Sequence, residues 1–311
     1  MRVAGIDCGT NSIRLLIIER ERTEQHPAGR AVDVVREMRV VRLGQDVDRT
    51  GRLAPEAIER TRIALVDYAE LIRKHQATRV RMMATSASRD ASNRQDFIDM
   101  VVSVLGVPPE VITGTQEAAL SFAGAVEGLP GVAAPVLVAD IGGGSTELVL
   151  GSPGSGELRS HSMNVGCVRM TERHLRSDPP TPEQISATVA DLRTAIEAAA
   201  VDVPLTGAAT FVGVAGTVTT LAAIVLGLDR YEADAIHGSS MTAAQVEEVT
   251  GLLLAMTHAE RAALPVMHPG RVDVIGGGAL VLRTLMEATG AERVVVSEHD
   301  ILDGIAASIV S

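Results

Sequence analysis

Aromatic side chains and cysteines are scarce in this chain of 311 residues. It has no Trp, two Tyr and three Phe, which leaves little for stacking nucleobases. Its two cysteines, Cys8 and Cys167, form neither a disulfide framework nor a metal-ligand cluster, and each is interpreted as a small buried thiol. The eight histidines show no metal-binding spacing. The composition therefore favours a substrate that is recognised by its phosphates.

Long apolar runs are also missing. The longest membrane candidate, Val218 to Leu228, is far shorter than the roughly 20 apolar residues of a spanning helix. Met1 runs almost directly into a predicted strand, with no basic segment and apolar core before it. The formal net charge of −11 argues against nucleic-acid or membrane partners, although local positive potential could still hold an anion. We expect a cytoplasmic protein.

Two glycine turns led by Asp are the most informative segments, DCGTNS at 7–12 and DIGGGSTE at 140–147. Each lies between apolar runs, which predicts a strand, a tight turn and a returning strand. Backbone N–H groups of such a turn can donate to a phosphate, and the Asp can hold Mg²⁺ directly or through water. One such turn is more often only a turn, but two predict a phosphate clamp. The predicted phosphate-binding residues are Gly9, Thr10, Asn11, Ser12, Gly142, Gly143, Gly144, Ser145 and Thr146, and the predicted Mg²⁺ ligands are Asp7 and Asp140.

A set of further segments accompanies these two loops in a fixed order. They are Arg14, ATSASRDA at 84–91, TGTQEA at 113–118, NVGCVR at 164–169, GVAGTVTT at 213–220, DVIGGGA at 273–279 and VSEHD at 296–300. With them, the chain resembles the exopolyphosphatase and guanosine pentaphosphate phosphohydrolase (Ppx/GppA) family over nearly its whole length. The resemblance implies a Mg²⁺-dependent hydrolase and a homodimer, and it leaves a monovalent cation such as K⁺ as a second candidate ion.

Each half of the chain is predicted to open with three antiparallel strands. These strands are Val3 to Ile6, Ile13 to Ile18 and Val32 to Val41, then Val136 to Ile141, Glu147 to Leu150 and Leu158 to Asn164. The pattern predicts a duplicated ribonuclease H-like α/β fold, which the resemblance also implies, with ligands in the crevice between two domains. We expect one domain at 1–127 plus 299–311 and the other at 128–298, joined by the Gly- and Pro-rich segment Gly128 to Pro135.

Glu117 is the predicted group that orients or deprotonates the attacking water. It begins a helix outside both loops, and it matches the position of the family's catalytic Glu. Without the resemblance, a helix-capping Glu would be the better interpretation. The family often has Glu where this chain has Gln116.

Other residues have predicted roles with open alternatives. Arg14 and Arg89 are expected to bind phosphate oxygens, with Arg14 alternatively facing solvent or an acidic neighbour. Glu147 is a third metal-side carboxylate, a second partner of the water, or a cross-strand polar residue. Two alternatives are open for Gly216, Thr217 and the run Gly276 to Gly278. They are predicted either to bind the rest of a nucleotide or further phosphates, or to form turns that need close packing.

The leading functional prediction is release of terminal orthophosphate from polyphosphate or of the γ-phosphate from guanosine pentaphosphate. An ATP-dependent small-molecule kinase and a non-catalytic guanosine polyphosphate sensor are the alternatives. Longer members of the family carry an extra C-terminal helical domain, and this chain ends at Ser311 without it. We therefore expect a preference for short polyphosphates.

Overall fold

The computed structural model describes residues 1–21, 30–127, 129, 132–155 and 157–310. The chain forms two compact units, Met1–Gly124 with Ile301–Ser311, and Ala125–Asp300. Three residues of the predicted linker, Gly128, Pro130 and Gly131, lie outside the described residues. Among the helices that are described, none has both the length and the apolar content needed to cross a membrane.

The first unit is built on a five-stranded mixed sheet. Its strands are β1 (Arg2–Cys8), β2 (Ser12–Glu21), β3 (Arg30–Val40), β4 (Arg79–Ala84) and β5 (Glu110–Val111), in the spatial order β3-β2-β1-β4-β5. The pairs β1–β2 and β2–β3 are antiparallel, whereas the pairs β1–β4 and β4–β5 are parallel. Parallel neighbours need crossover connections, and helices supply them here.

Helices cover both faces of this sheet. They are α1 (Val47–Thr50), α2 (Pro55–Lys74), α3 (Ser86–Asp90), α4 (Arg94–Leu105), α5 (Gly114–Glu127) and the C-terminal helix Ile301–Val310, which is α13 in chain order. One face packs against α2 and α4 through a cluster that includes Ile6, Leu65 and Phe97. The other face packs against α13 through Leu16 and Leu302. The C-terminal helix therefore belongs to the core of the first unit.

The second unit repeats this strand order and adds one edge strand. Its strands are β6 (Val136–Ile141), β7 (Thr146–Gly151), β8 (Leu158–Met163), β9 (Thr210–Val214), β10 (Ser240–Thr242) and β11 (Arg293–Val296), in the order β10-β11-β9-β6-β7-β8. Its helices are α6 (Cys167–His174), α7 (Pro182–Ala199), α8 (Ala215–Val225), α9 (Ala233–Ile236), α10 (Ala243–Ala255), α11 (His258–Ala262) and α12 (Ile275–Thr289). The strands β8-β7-β6-β9-β11 correspond to β3-β2-β1-β4-β5, so the predicted duplicated α/β fold is confirmed.

Two glycine-containing segments have local structure that bears on the predicted site. Strand β9 ends at Val214, because Ala215 has a φ of 69° and begins α8. The run Gly276–Gly278 lies inside α12 instead of a turn. A Cβ on Gly277 would lie 2.8 Å from the carbonyl oxygen of Cys167, so the run allows close helix packing, as one of the two predicted alternatives had it.

Candidate active site

The first predicted loop connects β1 to β2 in a tight turn. The Gly9 N–H donates to the Ser12 carbonyl at 3.0 Å and closes it. Asp7 is 5% exposed and lies opposite Arg14 in the antiparallel register. Arg14 donates from Nε (3.1 Å) and Nη2 (2.7 Å) to Asp7 Oδ2, so Arg14 meets the acidic neighbour named among its alternatives. Phosphate binding by Arg14 stays a prediction.

A buried hydroxyl pair links this loop to the segment after β4. The Oγ1 of Thr10 lies 2.9 Å from the Oγ of Ser86, and both side chains are buried. Ser86 begins α3, which also carries Arg89. The hydrogen bond therefore joins the first loop to the helix that holds a predicted phosphate ligand.

The second loop has the same construction with different charges. The Gly142 N–H donates to the Ser145 carbonyl at 3.1 Å, and the Thr146 hydroxyl donates to the Val165 carbonyl at 2.7 Å. Asp140 and Glu147, 7% and 1% exposed, lie opposite each other in register, on the same face of the sheet.

One further polar residue continues this row on the next strand. Ser162 pairs with Glu147 and donates its hydroxyl to Glu147 Oε1 at 2.7 Å. The row Asp140–Glu147–Ser162 thus corresponds to Asp7–Arg14–Met38 in the first unit. Glu147 lies where the first unit has an arginine.

Glu117 lies in the first turn of α5 and is held there by Arg89. The cap of α5 is made by Thr113 and Gln116: the Gln116 N–H donates to Thr113 Oγ1 at 3.2 Å, and Gln116 Oε1 accepts from the Thr113 N–H at 3.0 Å. Arg89 Nη1 donates to Glu117 Oε2 at 3.0 Å and to the Ile112 carbonyl at 3.1 Å. Glu117, in the first turn of the same helix, thus has a defined partner, and its capping alternative stays open beside the catalytic prediction.

Arg89 keeps hydrogen-bonding capacity beyond this ion pair. Both of its bonds come from Nη1, and its side chain is 23% exposed. Its Nε and Nη2 make no hydrogen bond to any described residue. A guanidinium with two nitrogens left for a ligand can hold Glu117 and a phosphate oxygen together.

Gly216 and Thr217 lie in the first turn of α8, in a tightly packed setting. The Arg271 guanidinium covers Gly216 so closely that a Cβ there would overlap it, and Arg271 Nη1 donates to Thr220 Oγ1 at 3.1 Å. Thr217 is 4% exposed, and a Cβ on Gly278 would overlap its side chain. These contacts support the packing interpretation, while a phosphate-binding role of this turn stays a prediction.

Oxygen donors for Mg²⁺ are available at both loops. Among the described residues, no three His, Cys, Asp or Glu side chains group into a metal-binding cluster. Mg²⁺ does not require one, because it is usually held by one or two carboxylates, with waters and substrate phosphates completing its shell. The opposed carboxylates Asp140 and Glu147 are hard donors of this kind and fit the ion.

Three residues near the loops had no role assigned from the sequence: Ser86, Arg169 and Arg271. Arg169 Nε donates to the Gly144 carbonyl at 2.7 Å, and Ser86 and Arg271 make the contacts given above. Ser86 and Arg169 lie inside motifs that carried the family resemblance. Their position after a strand of the sheet is the signal that could have identified them.

Comparison with known proteins identifies the family of this chain. Residues 18–311 match the Ppx/GppA phosphatase family. The chain belongs to that family. It is 54% identical to Exopolyphosphatase 2 of Mycobacterium tuberculosis, over 99% of this chain and 98% of that protein. It is 28% identical to the guanosine-5′-triphosphate,3′-diphosphate pyrophosphatase of Aeromonas salmonicida, over 97% of this chain and 58% of that protein.

A solved structure agrees with this assignment. The Ppx/GppA family member from Aquifex aeolicus superimposes with a TM-score of 0.81 at 30% identity, covering 100% of this chain and 97% of that one. Membership in the Ppx/GppA phosphatase family confirms the prediction of a phosphohydrolase. The roles of individual site residues remain predictions that the geometry above makes specific.

Both cysteines of this Ppx/GppA protein are predicted to be inert. Burial raises the pKa of Cys167 to about 11, although the hydrogen bond from Thr217 opposes this, and burial beside Asp7 raises the pKa of Cys8 well above its ordinary value. At pH 8 only about one thousandth of Cys167 would be thiolate. Mass spectrometry after iodoacetamide treatment should show both alkylated in guanidinium chloride and neither in the native protein. Rapid native labelling would show that a thiol is accessible and activated.

Proposed function

We propose that this protein is a Mg²⁺-dependent exopolyphosphatase that releases orthophosphate from the end of polyphosphate. The observation that carries the proposal is the buried Glu117, held by Arg89, in a chain 54% identical to an exopolyphosphatase. Hydrolysis of a phosphoanhydride needs a water aimed at phosphorus and a group that accepts its proton. The Glu117 carboxylate is the candidate acceptor.

Binding of the phosphate chain is assigned to the two loops. Their turns present backbone N–H groups and hydroxyls, and Arg89 retains nitrogens for a phosphate oxygen. Mg²⁺, held by the carboxylates that precede the two turns, would neutralise charge on the phosphoryl oxygens. Asp7 and Asp140 remain the predicted ligands, and Glu147 joins Asp140 because the two carboxylates face each other.

Guanosine pentaphosphate is the second candidate substrate. It is supported by the name of the Aeromonas salmonicida relative, which acts on guanosine 5′-triphosphate,3′-diphosphate. The low aromatic content disfavours it, because base stacking would need rings that the sequence largely lacks. A homodimer and a preference for short polyphosphates both stay predictions.

Glu117→Gln should abolish most of the activity. The substitution preserves size and hydrogen bonding but removes proton acceptance, so we expect kcat to fall about 10²- to 10⁴-fold with little change in KM. Orthophosphate release would be measured with Mg²⁺ from medium-chain polyphosphate, guanosine pentaphosphate and ATP in parallel. Glu110→Gln is the matched control, because Glu110 also pairs with an arginine, Arg81, but is half exposed. A Glu117→Gln enzyme that keeps most of its rate would exclude Glu117 as the base.

The same assay separates the alternative functions. ATP consumption that requires a small acceptor would indicate a kinase. No release from any substrate, with guanosine polyphosphate binding retained, would indicate a sensor.

Polyphosphates of increasing length should show catalytic efficiency that levels off at short chains. The measurement is kcat/KM for a size-fractionated series. Efficiency that continues to rise up to very long chains would contradict the predicted preference.

Asp140→Asn should weaken the response to Mg²⁺ more than Asp7→Asn does. Asp7 is paired with Arg14, whereas Asp140 lies opposite a second carboxylate, Glu147, and two adjacent carboxylates attract a cation more strongly than one. We expect the Mg²⁺ concentration for half-maximal activity to rise at least about tenfold in Asp140→Asn. Asp202→Asn, at an exposed carboxylate of the same unit, is the control. Equal effects of Asp7→Asn and Asp140→Asn would refute this asymmetry.

A further inference from the structure

Two carbonyl groups of the first loop accept hydrogen bonds from the segment that follows β3. The Val41 and Arg42 N–H groups both donate to the Asn11 carbonyl, at 3.0 and 2.8 Å, and the Gly44 N–H donates to the Thr10 carbonyl at 2.9 Å. Arg42 has a φ of 49°, in the left-handed region that an arginine rarely adopts. The backbone strain is consistent with a segment whose conformation is fixed by these bonds.

The second loop is held in the same way by the segment that follows β8. The Cys167 N–H donates to the Gly142 carbonyl at 2.9 Å. The Val168 and Arg169 N–H groups donate to the Gly143 carbonyl at 2.9 and 3.1 Å. Arg169 adds its Nε, which donates to the Gly144 carbonyl at 2.7 Å. These donors belong to the first turn of α6, whose N–H groups have no partner within the helix.

Pinned carbonyls determine the direction of the loop N–H groups. In a trans peptide group, the C=O bond and the N–H bond of the next residue lie in one plane and point in opposite directions. Because the Thr10 and Asn11 carbonyls point toward residues 41–44, the N–H groups of Asn11 and Ser12 point away from that segment. The same argument directs the N–H groups of Gly143, Gly144 and Ser145 away from residues 166–169.

We propose that Val41–Gly44 and Gly166–Arg169, here called the bracing segments, are positioning elements that aim the N–H groups of the two loops at the phosphates of the substrate. The inference rests on the proposed phosphate binding by these loops. It assigns a function to residues outside the loops themselves. It also explains why a corresponding segment follows the third strand in each unit.

Glycine is needed in each bracing segment because the loop lies so close. A Cβ on Gly44 would overlap Cγ2 of Thr10 and lie 3.1 Å from Cβ of Ala87. A Cβ on Gly166 would lie 2.6 Å from the Gly143 oxygen and 2.7 Å from the Gly142 oxygen. The worst contact at Gly44 is with the Cγ2 methyl of Thr10, so a second substitution can remove it and leave only the two contacts at 3.1 Å, to Cβ of Thr10 and of Ala87.

The test is Gly44→Ala, made in the wild type and in a Thr10→Ser background. Thr10→Ser removes the overlapping Cγ2 and keeps the hydroxyl that pairs with Ser86. In the wild type we expect kcat/KM for polyphosphate to fall about 10²-fold, with a raised KM, because small displacements of binding groups are that costly. In the Thr10→Ser background the same change should cost only a few-fold. The control is Gly251→Ala, at an exposed helical glycine with open space around it.

Two results would overturn the proposal. One is a Gly44→Ala protein with a lowered melting temperature but unchanged KM and kcat, which would show a structural role only. The other is an equal loss in both backgrounds, which would show that the effect does not pass through Thr10. If Gly44→Ala fails to fold, Arg169→Lys removes the bond to the Gly144 carbonyl while keeping the charge, and an unchanged KM there would overturn the proposal.

Failure of the proposed function can be distinguished from failure of the brace. If the wild type releases no orthophosphate, calorimetric titration with tripolyphosphate still measures the loops. Tight binding by the wild type that weakens in Gly44→Ala and recovers with Thr10→Ser would support the brace without hydrolysis. No binding by the wild type would overturn the brace together with the proposed function.

Discussion

Burial of negative charge is the constraint on which the candidate site depends. Its four carboxylates, Asp7, Glu117, Asp140 and Glu147, are between 1% and 7% exposed. An uncompensated buried ion costs several kcal/mol even after relaxation, so each must be offset by nearby charge or hydrogen bonds. In the first unit arginines do this, Arg14 for Asp7 and Arg89 for Glu117. In the second unit the register places Glu147 and Ser162 beside Asp140, Ser162 donates a hydrogen bond to Glu147, and a bound cation would offset further charge there.

The duplicated fold makes this difference easy to interpret. Arg14 and Glu147 occupy the same position in the two sheets, opposite the Asp that precedes the glycine turn. An identical backbone frame therefore carries a charge that differs by two units. The arginine gives the first loop a positive group, which suits an anion. The glutamate gives the second loop a negative group, which suits a metal ion.

Local sequence patterns predicted the elements whose cause is local. Asp followed by glycines between apolar runs gave both turns, and the three-strand opening of each unit followed from apolar periodicity. The cap of α5 was equally local: Thr113 and Gln116 have the spacing of a capping box. That spacing alone identifies Gln116 as the capping-box residue of α5.

Features that depend on tertiary contacts were outside the reach of these patterns. The run Gly276–Gly278 is predicted as a turn because glycine is unfavourable in helices, yet it lies in α12, where neighbouring groups leave no room for a Cβ on Gly277 or Gly278. The bracing segments are defined by hydrogen bonds across about thirty residues of chain in unit one and about twenty-five in unit two, and only the folded sheet brings them to the loops.

The burial of the five aromatic side chains bears on the choice between the two candidate substrates. Of the five aromatic residues, Phe97, Phe122, Phe211 and Tyr68 are at most 5% exposed, so their rings are part of the cores. Tyr231 is 40% exposed, but its hydroxyl is hydrogen-bonded to Glu298 and Thr219. Recognition of a guanine base would thus rest on this one ring or on hydrogen bonds alone. For phosphates, in contrast, each unit offers a predicted loop of N–H groups, and Arg89 has two nitrogens that bond to no described residue; this difference supports the proposal of polyphosphate over a nucleotide.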